Sequence, residues 1–257
     1  MNQQELVLTK ALVVLGCLLL LFIAEQLLPA SPRPEGRKSG FPRWGRNLSL
    51  WGLNSLLSPA IVLPITVFGV SHGLGWRPDW LTGWSGLIAD ILLLDFWIYW
   101  WHRANHKVPL LWRFHRIHHL DQWLDTTSAV RFHFGEVLLS ALVRAVVILC
   151  FGIPLMSVIA FETLVLLMAG FQHSNLRLSV RLESALSKVL ITPSIHWVHH
   201  HVLRQDTDSN YGTILSYWDR LFGSQSANKR TNNMEIGLDD AEDARFFQLL
   251  LAPFKQR

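Results

Sequence analysis

Residues Leu6–Leu28, LVLTKALVVLGCLLLLFIAEQLL, form an apolar run longer than the ~20 residues a helix needs to cross a bilayer. No small-residue cleavage site follows it, so an uncleaved anchor is expected rather than a removed signal peptide. Two further spans are expected, Leu48–Val70, interrupted by Pro59 and Pro64, and Ser85–Trp101 after a Gly/Trp-rich turn at Ser71–Trp84. Phe134–Gln172 is almost uniformly apolar and breaks at FGIP, Phe151–Pro154, which reads as a helical hairpin of two short arms. Composition agrees: 50% of residues are hydrophobic and only 16% charged, against about 25% in soluble domains. Twelve tryptophans suit a chain with much surface at the membrane–water interface. The expected fold is therefore an all-α integral membrane protein, with three transmembrane helices, an apolar hairpin and a cytoplasmic helical cap.

The net charge of +4 is modest, and the basic residues flank apolar runs, a pattern of membrane orientation rather than of nucleic-acid binding. The loop Pro29–Asn47 carries Arg33, Arg37, Lys38, Arg43 and Arg46 against the single acid Glu35 and is expected on the cytoplasmic side. That places the N-terminus in the periplasm and the C-terminus in the cytoplasm, in the inner membrane if the cell is bacterial. Cys17 and Cys150 lie in separate apolar runs, so an iron–sulfur site, a haem-attachment motif and a disulfide are not expected.

Nine of the twelve histidines fall in three short segments: HRANH at His102–His106, HRIHH at His115–His119 and HWVHHH at His196–His201. Residues four apart on a helix share a face, so His102 and His106 point one way. The i, i+3, i+4 spacing does the same for His115, His118 and His119, and for His196, His199 and His200. One such triplet is expected by chance only ~0.03 times in a chain with this histidine content. Eight imidazoles are twice what one tetrahedral zinc uses, so two metal ions held by nitrogen are expected, and imidazole suits iron, zinc, copper and nickel alike.

The span layout also brings His102, His106, His133 and His173 to one depth at the cytoplasmic interface, which makes His133 and His173 the ninth and tenth candidates. His72 reads as structural, and His201 points about 100° off the triplet face. A ligating histidine needs an acceptor for its other N–H. Asp95, two turns before His102, and Glu136, three after His133, are the leading candidates for that role, with Asp206 and Asp219 behind them.

Six segments carry a resemblance: LLLDFWIYWWHRANH, LLWRFHRIHH, TTSAVRFHFGE, FQHSNLRL, TPSIHWVHH and DSNYGTILSYWDRLFG. Over about Leu87–Gly223 the chain resembles the fatty acid hydroxylase / sterol desaturase superfamily of membrane histidine-box enzymes. The resemblance implies two iron ions, O2 as co-substrate, and a lipid or sterol-like substrate whose C–H bond is hydroxylated or desaturated. It makes His102, His106, His115, His118, His119, His196, His199 and His200 the iron ligands, with His133 and His173 as additions.

No dinucleotide fingerprint, haem or cluster motif is present, so a separate electron donor (ferredoxin, cytochrome or reductase) is implied. Arg103, Lys107, Arg113 and Arg116 either dock it or serve the positive-inside rule. The domains expected are an anchor over 1–84, a catalytic domain over 85–223 and a tail with an amphipathic helix over 224–257. The rival reading is a non-catalytic metal-binding membrane protein, a sensor or a transporter. Arg144 and Glu162 lie equally far from Ile153 in the hairpin; they either face each other or share a polar cluster within it, or each snorkels or pairs elsewhere.

Overall fold

The computed structural model describes residues 3–33 and 40–255. Glu35, Arg37 and Lys38 of the basic loop lie outside the described residues. Twelve α-helices are formed by the described residues: α1 (Gln3–Leu27), α2 (Phe41–Leu57), α3 (Val62–Ser71), α4 (Gly83–Lys107), α5 (Pro109–His119), α6 (Phe134–Phe151), α7 (Leu155–His173), α8 (Val180–Leu186), α9 (Pro193–His199), α10 (Arg204–Thr207), α11 (Tyr217–Leu221) and α12 (Phe246–Leu251). A 3-10 turn covers Thr126–Val130. Among the described residues the only β pairing is three isolated bridges.

Among the described residues three segments are long and apolar enough to cross a membrane, Leu8–Leu27 in α1, α6 and α7, and α2 with α3 passes the same test only when the pair, bent by 48°, is taken together. The bend falls at Ser58–Ile61, where Pro59 has no N–H to continue the ladder. Two expectations change here. The hairpin arms are not short: at 18 and 19 residues each meets the spanning length. The expected third span, by contrast, lies in α4, which is a continuous helix but not among the segments apolar enough to cross. Its buried Asp90 and Asp95 lower its apolarity, and both are satisfied by protein: Asp90 accepts from Arg77 at 2.7 and 3.0 Å.

The hairpin closes at Gly152, in the left-handed region (φ 58°), with Pro154 capping α7. Leu94 of α4 and Ile148, Val158, Phe161 and Met168 of the hairpin make the main apolar core, joined by Ile214 from the polar half of the chain. At Gly69 a Cβ would stand 2.9 Å from the Ala145 carbonyl oxygen, so α3 and α6 cross almost backbone to backbone. Arg144 and Glu162 do face each other, at 2.9 Å, and Lys10 of α1 pairs with the same carboxylate.

The ends of α1, α4, α6 and α7 that meet α5 and α8–α11 are tied by buried polar groups. Glu25 accepts from the Thr126 and Asn175 backbone N–H groups at 3.1 and 2.8 Å. Arg43, one of the charges of the basic loop, is buried and bonds Asp121 (2.6 Å) and Asp125 (2.5 Å), and Arg46 pairs with Asp243 at 2.6 Å. Arg131 bonds Asp243 and the Ile117 carbonyl, so α2, α5 and the C-terminal segment are clamped together.

Candidate metal centre

Helix α4 delivers His102 and His106 on its last turns, and α5 follows after one residue, with Pro109 at its first turn where no N–H is needed. Helix α9 starts in the same way at Pro193 and carries His196 and His199. His173 is the last residue of α7.

These elements gather nine imidazoles into two groups. His102, His106, His115, His119 and His199 form one; His118, His173, His196 and His200 form the other, and within each group one nitrogen per ring lies within 4.8 Å of all the others. All are buried except the half-buried His102. The two triplets are shared crosswise. His115 and His119 join the first group and His118 the second, while His196 and His200 join the second and His199 the first. The groups adjoin, with His119 and His200 stacked at 4.2 Å between ring centroids.

Hydrogen bonds behind the rings fix which nitrogen faces inward. Nδ1 of His118 meets the Arg131 carbonyl at 3.1 Å and Nδ1 of His173 meets the Ala169 carbonyl at 2.8 Å. In the first group, Nδ1 of His102 meets the Tyr211 carbonyl (2.9 Å) and Nδ1 of His199 the Ser209 carbonyl (2.6 Å). A carbonyl only accepts, so each Nδ1 carries the proton and each Nε2 presents a lone pair. Yet Nε2 of His118 lies 3.0 Å from Nε2 of His173, and Nε2 of His102 lies 3.1 Å from that of His199. Two lone pairs at that distance repel unless a proton or a cation stands between them.

A proton is disfavoured. Burial, reinforced by neighbouring imidazoles, holds His118, His119, His196 and His200 well below the ordinary imidazole range, and burial lowers His199 to about 3. A shared cation fits, because two nitrogens each about 2.0–2.1 Å from one ion stand about 2.9–3.4 Å apart. Unsatisfied buried nitrogens point the same way: both ring nitrogens of His106 and His119, and Nε2 of His115, find no hydrogen-bond partner. Trp112 packs on His106 and His119, and Phe132 stacks on His118 at 4.5 Å, so apolar rings close the sides.

Of the sequence candidates, Glu136 stands where an orienting acceptor is needed, 2.8 Å from Nδ1 of His115. His133 joins neither group: its Nδ1 accepts from the Gly135 N–H as the cap of α6, and its Nε2 meets the Leu250 carbonyl at 3.1 Å. Asp95 meets no histidine either. Its carboxylate accepts from the backbone N–H of Ile214 (3.1 Å) and Leu215 (3.2 Å) and from the Trp218 indole (2.8 Å). Asp219 accepts from the N–H groups of Tyr211 (2.8 Å) and Gly212 (2.9 Å). Both acids therefore act on segment 209–218, whose Ser209 and Tyr211 carbonyls hold His199 and His102. Asp206 takes His201 at 2.7 Å, outside both groups. His72, just past the end of α3, bonds the Phe68 carbonyl of that helix. Tyr211 was not singled out by the sequence; its buried hydroxyl is unpartnered and its ring packs against His102, His106 and His199.

Residues 87–224, more than half of the chain, match the fatty acid hydroxylase family. An ornithine lipid hydroxylase of Rhizobium tropici is 25% identical over 186 residues, covering 72% of this chain and 55% of that protein. Alkylglycerol monooxygenase of Xenopus tropicalis is 32% identical over 152 residues (59% of this chain, 32% of that protein), and the Homo sapiens protein 30% over 154 (60% and 32%). The chain thus spans about half the length of the first relative and a third of the others. No solved structure matches it.

Proposed function

Because the chain belongs to the fatty acid hydroxylase family, we propose that it is a membrane-bound non-haem di-iron oxygenase. In this reading it uses O2 and external electrons to hydroxylate, or desaturate, a C–H bond of a lipid or sterol-like substrate. The observation that carries the reading is the pair of imidazole groups whose inward lone pairs face each other at 3.0 and 3.1 Å. One iron is held by His102, His106, His115, His119 and His199, the other by His118, His173, His196 and His200. Bound iron supplies the oxidant that breaking an unactivated C–H bond requires and that side chains lack.

The chain's own groups do the rest. Nine neutral imidazoles leave the positive charge of the ions uncancelled. Glu136 and four backbone carbonyls fix five rings by their Nδ1 protons, which keeps Nε2 aimed inward. Asp95 and Asp219 hold the segment that supplies two of those carbonyls, and Trp112 and Phe132 exclude water. Residues 85–223 carry the chemistry, while 1–84 and 224–257 clamp it through Arg43, Arg46 and Asp243. The centre faces the cytoplasm, where a separate donor delivers electrons.

The names of the relatives, an ornithine lipid hydroxylase and alkylglycerol monooxygenases, support a lipid substrate. A metal transporter places its ligands near the middle of its spans, whereas these imidazoles gather at one end of the helices. The deciding experiment is metal analysis of the purified protein, followed by mass spectrometry of lipids incubated with it, O2 and a reductant. The reading expects bound iron and a lipid gaining one oxygen or losing two hydrogens; iron-free protein, or iron without either mass change, overturns it.

A further inference from the structure

Helices α8 and α11 form one surface. The Ser216 N–H donates to the Val189 carbonyl at 2.9 Å, Arg220 donates to the Lys188 carbonyl at 2.6 Å, and Leu190 bridges to Leu215. This surface leaves large apolar side chains uncovered: Val180 is 86% exposed, and Leu182, Val189, Tyr217 and Leu221 lie between 47% and 57%. Exposed Arg177, Arg181, Lys188 and Arg220 are interleaved with them. Among the described residues none of the four is in an ion pair. The one acid of α8, Glu183, is engaged by the Thr192 hydroxyl.

Two sets of contacts fix the depth of the surface. Just past α7, the Arg177 N–H donates to the Leu28 carbonyl and the Ala30 N–H to the Asn175 carbonyl, both at 2.8 Å, so α8 starts beside the end of the α1 span. On the other side, Asp95 holds Ile214, Leu215 and Trp218, and Asp95 is seven residues, about 10 Å, inward of His102 along α4. Ile214 itself enters the apolar core with Leu94 and Met168. The α8–α11 surface therefore lies at or below the level of the histidines, where the spans leave the hydrocarbon.

We propose that this surface is seated in the phosphate layer of an anionic bilayer, its apolar side chains among the upper acyl chains and its four cations on lipid phosphates. Apolar residues and a tyrosine interleaved with Arg and Lys are the signature of an interfacial element. Each basic residue engaged favours anionic over neutral lipid roughly fivefold. An acidic protein partner would be served by the charges but would leave five exposed apolar side chains, at the depth where lipid begins, without a function.

The test uses the full chain in nanodiscs of phosphatidylcholine alone or mixed with phosphatidylglycerol. With Cys17 and Cys150 replaced by Ala, an NBD fluorophore is placed at Val180→Cys or Leu221→Cys, both exposed and outside the metal centre. Spin-labelled lipids then quench it. Quenching by labels near the headgroup is expected, several-fold stronger for the anionic than for the neutral spin-labelled lipid. The anionic preference should drop sharply in the Arg177→Gln, Arg181→Gln, Lys188→Gln variant, to no more than Arg220 alone supplies. Arg220 is left in place because it also donates to backbone carbonyls. Fluorophores that report water and escape quenching overturn the proposal, as do labels shielded only when an acidic ferredoxin is added. Equal quenching by both lipids overturns the role of the cations.

Discussion

Three charges share one site inside the span bundle, and the order in which they are removed decides how much stability is lost. Glu162 sits between Arg144 and Lys10, with the three side chains 14–23% exposed. It stands seven residues into α7, and Arg144 seven before the end of α6, so the site is about 10 Å from the hairpin turn, inside the segments apolar enough to cross a membrane. An unpaired charge there costs roughly 2.5–3.5 kcal/mol on insertion scales. Arg144→Leu leaves the Lys10–Glu162 pair intact and should cost about 1 kcal/mol, the net value of one modest pair. Lys10→Met should cost the same. Glu162→Leu strands two cations side by side and should cost roughly 3–6 kcal/mol, lowered by whatever snorkelling the long stems allow. Adding Arg144→Leu to it should recover about half, and adding Lys10→Met as well should return the protein close to the parent. The assay is thermal unfolding of the reconstituted protein, with the variants ranked by midpoint. Glu162→Leu no more harmful than Arg144→Leu, or a triple variant no better than Glu162→Leu alone, would refute the shared site.

Two further expectations concern the centre and one the topology. Glu136→Gln removes the carboxylate that fixes His115 and should lower metal affinity 10–100-fold, read by metal content after dialysis against a chelator, with membrane insertion unchanged. Metal-free protein should lose stability in acid: buried His118, His119, His196, His199 and His200 are harder to protonate than in the unfolded chain, so the unfolded state binds more protons. Its stability should be full above the ordinary imidazole pKa of about 6.5 and fall as pH drops below it, towards about 3 for His199; a pH-independent unfolding midpoint from pH 8 to 5 would contradict this. Reporter fusions at Gly40 and Gly223 should land on the same, cytoplasmic, side, and opposite sides would overturn the topology.

The residue types of the site were legible in the sequence because imidazoles at i, i+3 and i+4 are rare and helical spacing is rigid. Their division was not. On a helix the i+3 and i+4 positions flank residue i about 100° apart, a stripe wide enough to feed one centre or two, and only α9 set against α5 resolves it. His133 was read from depth and from the resemblance, but depth leaves ring direction open, and the Gly135 N–H at the start of α6 claims its ring. Asp95 shares a face with His102, yet its carboxylate meets a segment 119 residues later in the chain, a pairing that local spacing does not encode. The carbonyls of Arg131, Ala169, Ser209 and Tyr211 hold four rings and belong to the backbone, so no residue type signals them. Arg43 read as a loop charge because its partners, Asp121 and Asp125, lie 78 and 82 residues away.

The crosswise sharing of the two triplets has a consequence for how the centre fills. Helix α5 gives two rings to one group and one to the other, and the α9 segment His196–His200 does the reverse, so each group needs both elements besides its own rings from α4 or α7. If the centre holds two ions as proposed, the first to bind would hold α5 and the α9 segment against each other and so steady most of the second cage through the same backbone. The second ion would then meet a steadied cage and bind more tightly than the first. On that reading, a population supplied with half the iron it would hold should divide into fully loaded and empty molecules, with few carrying a single ion, and α5 or the α9 segment pulled away should release both ions in one step.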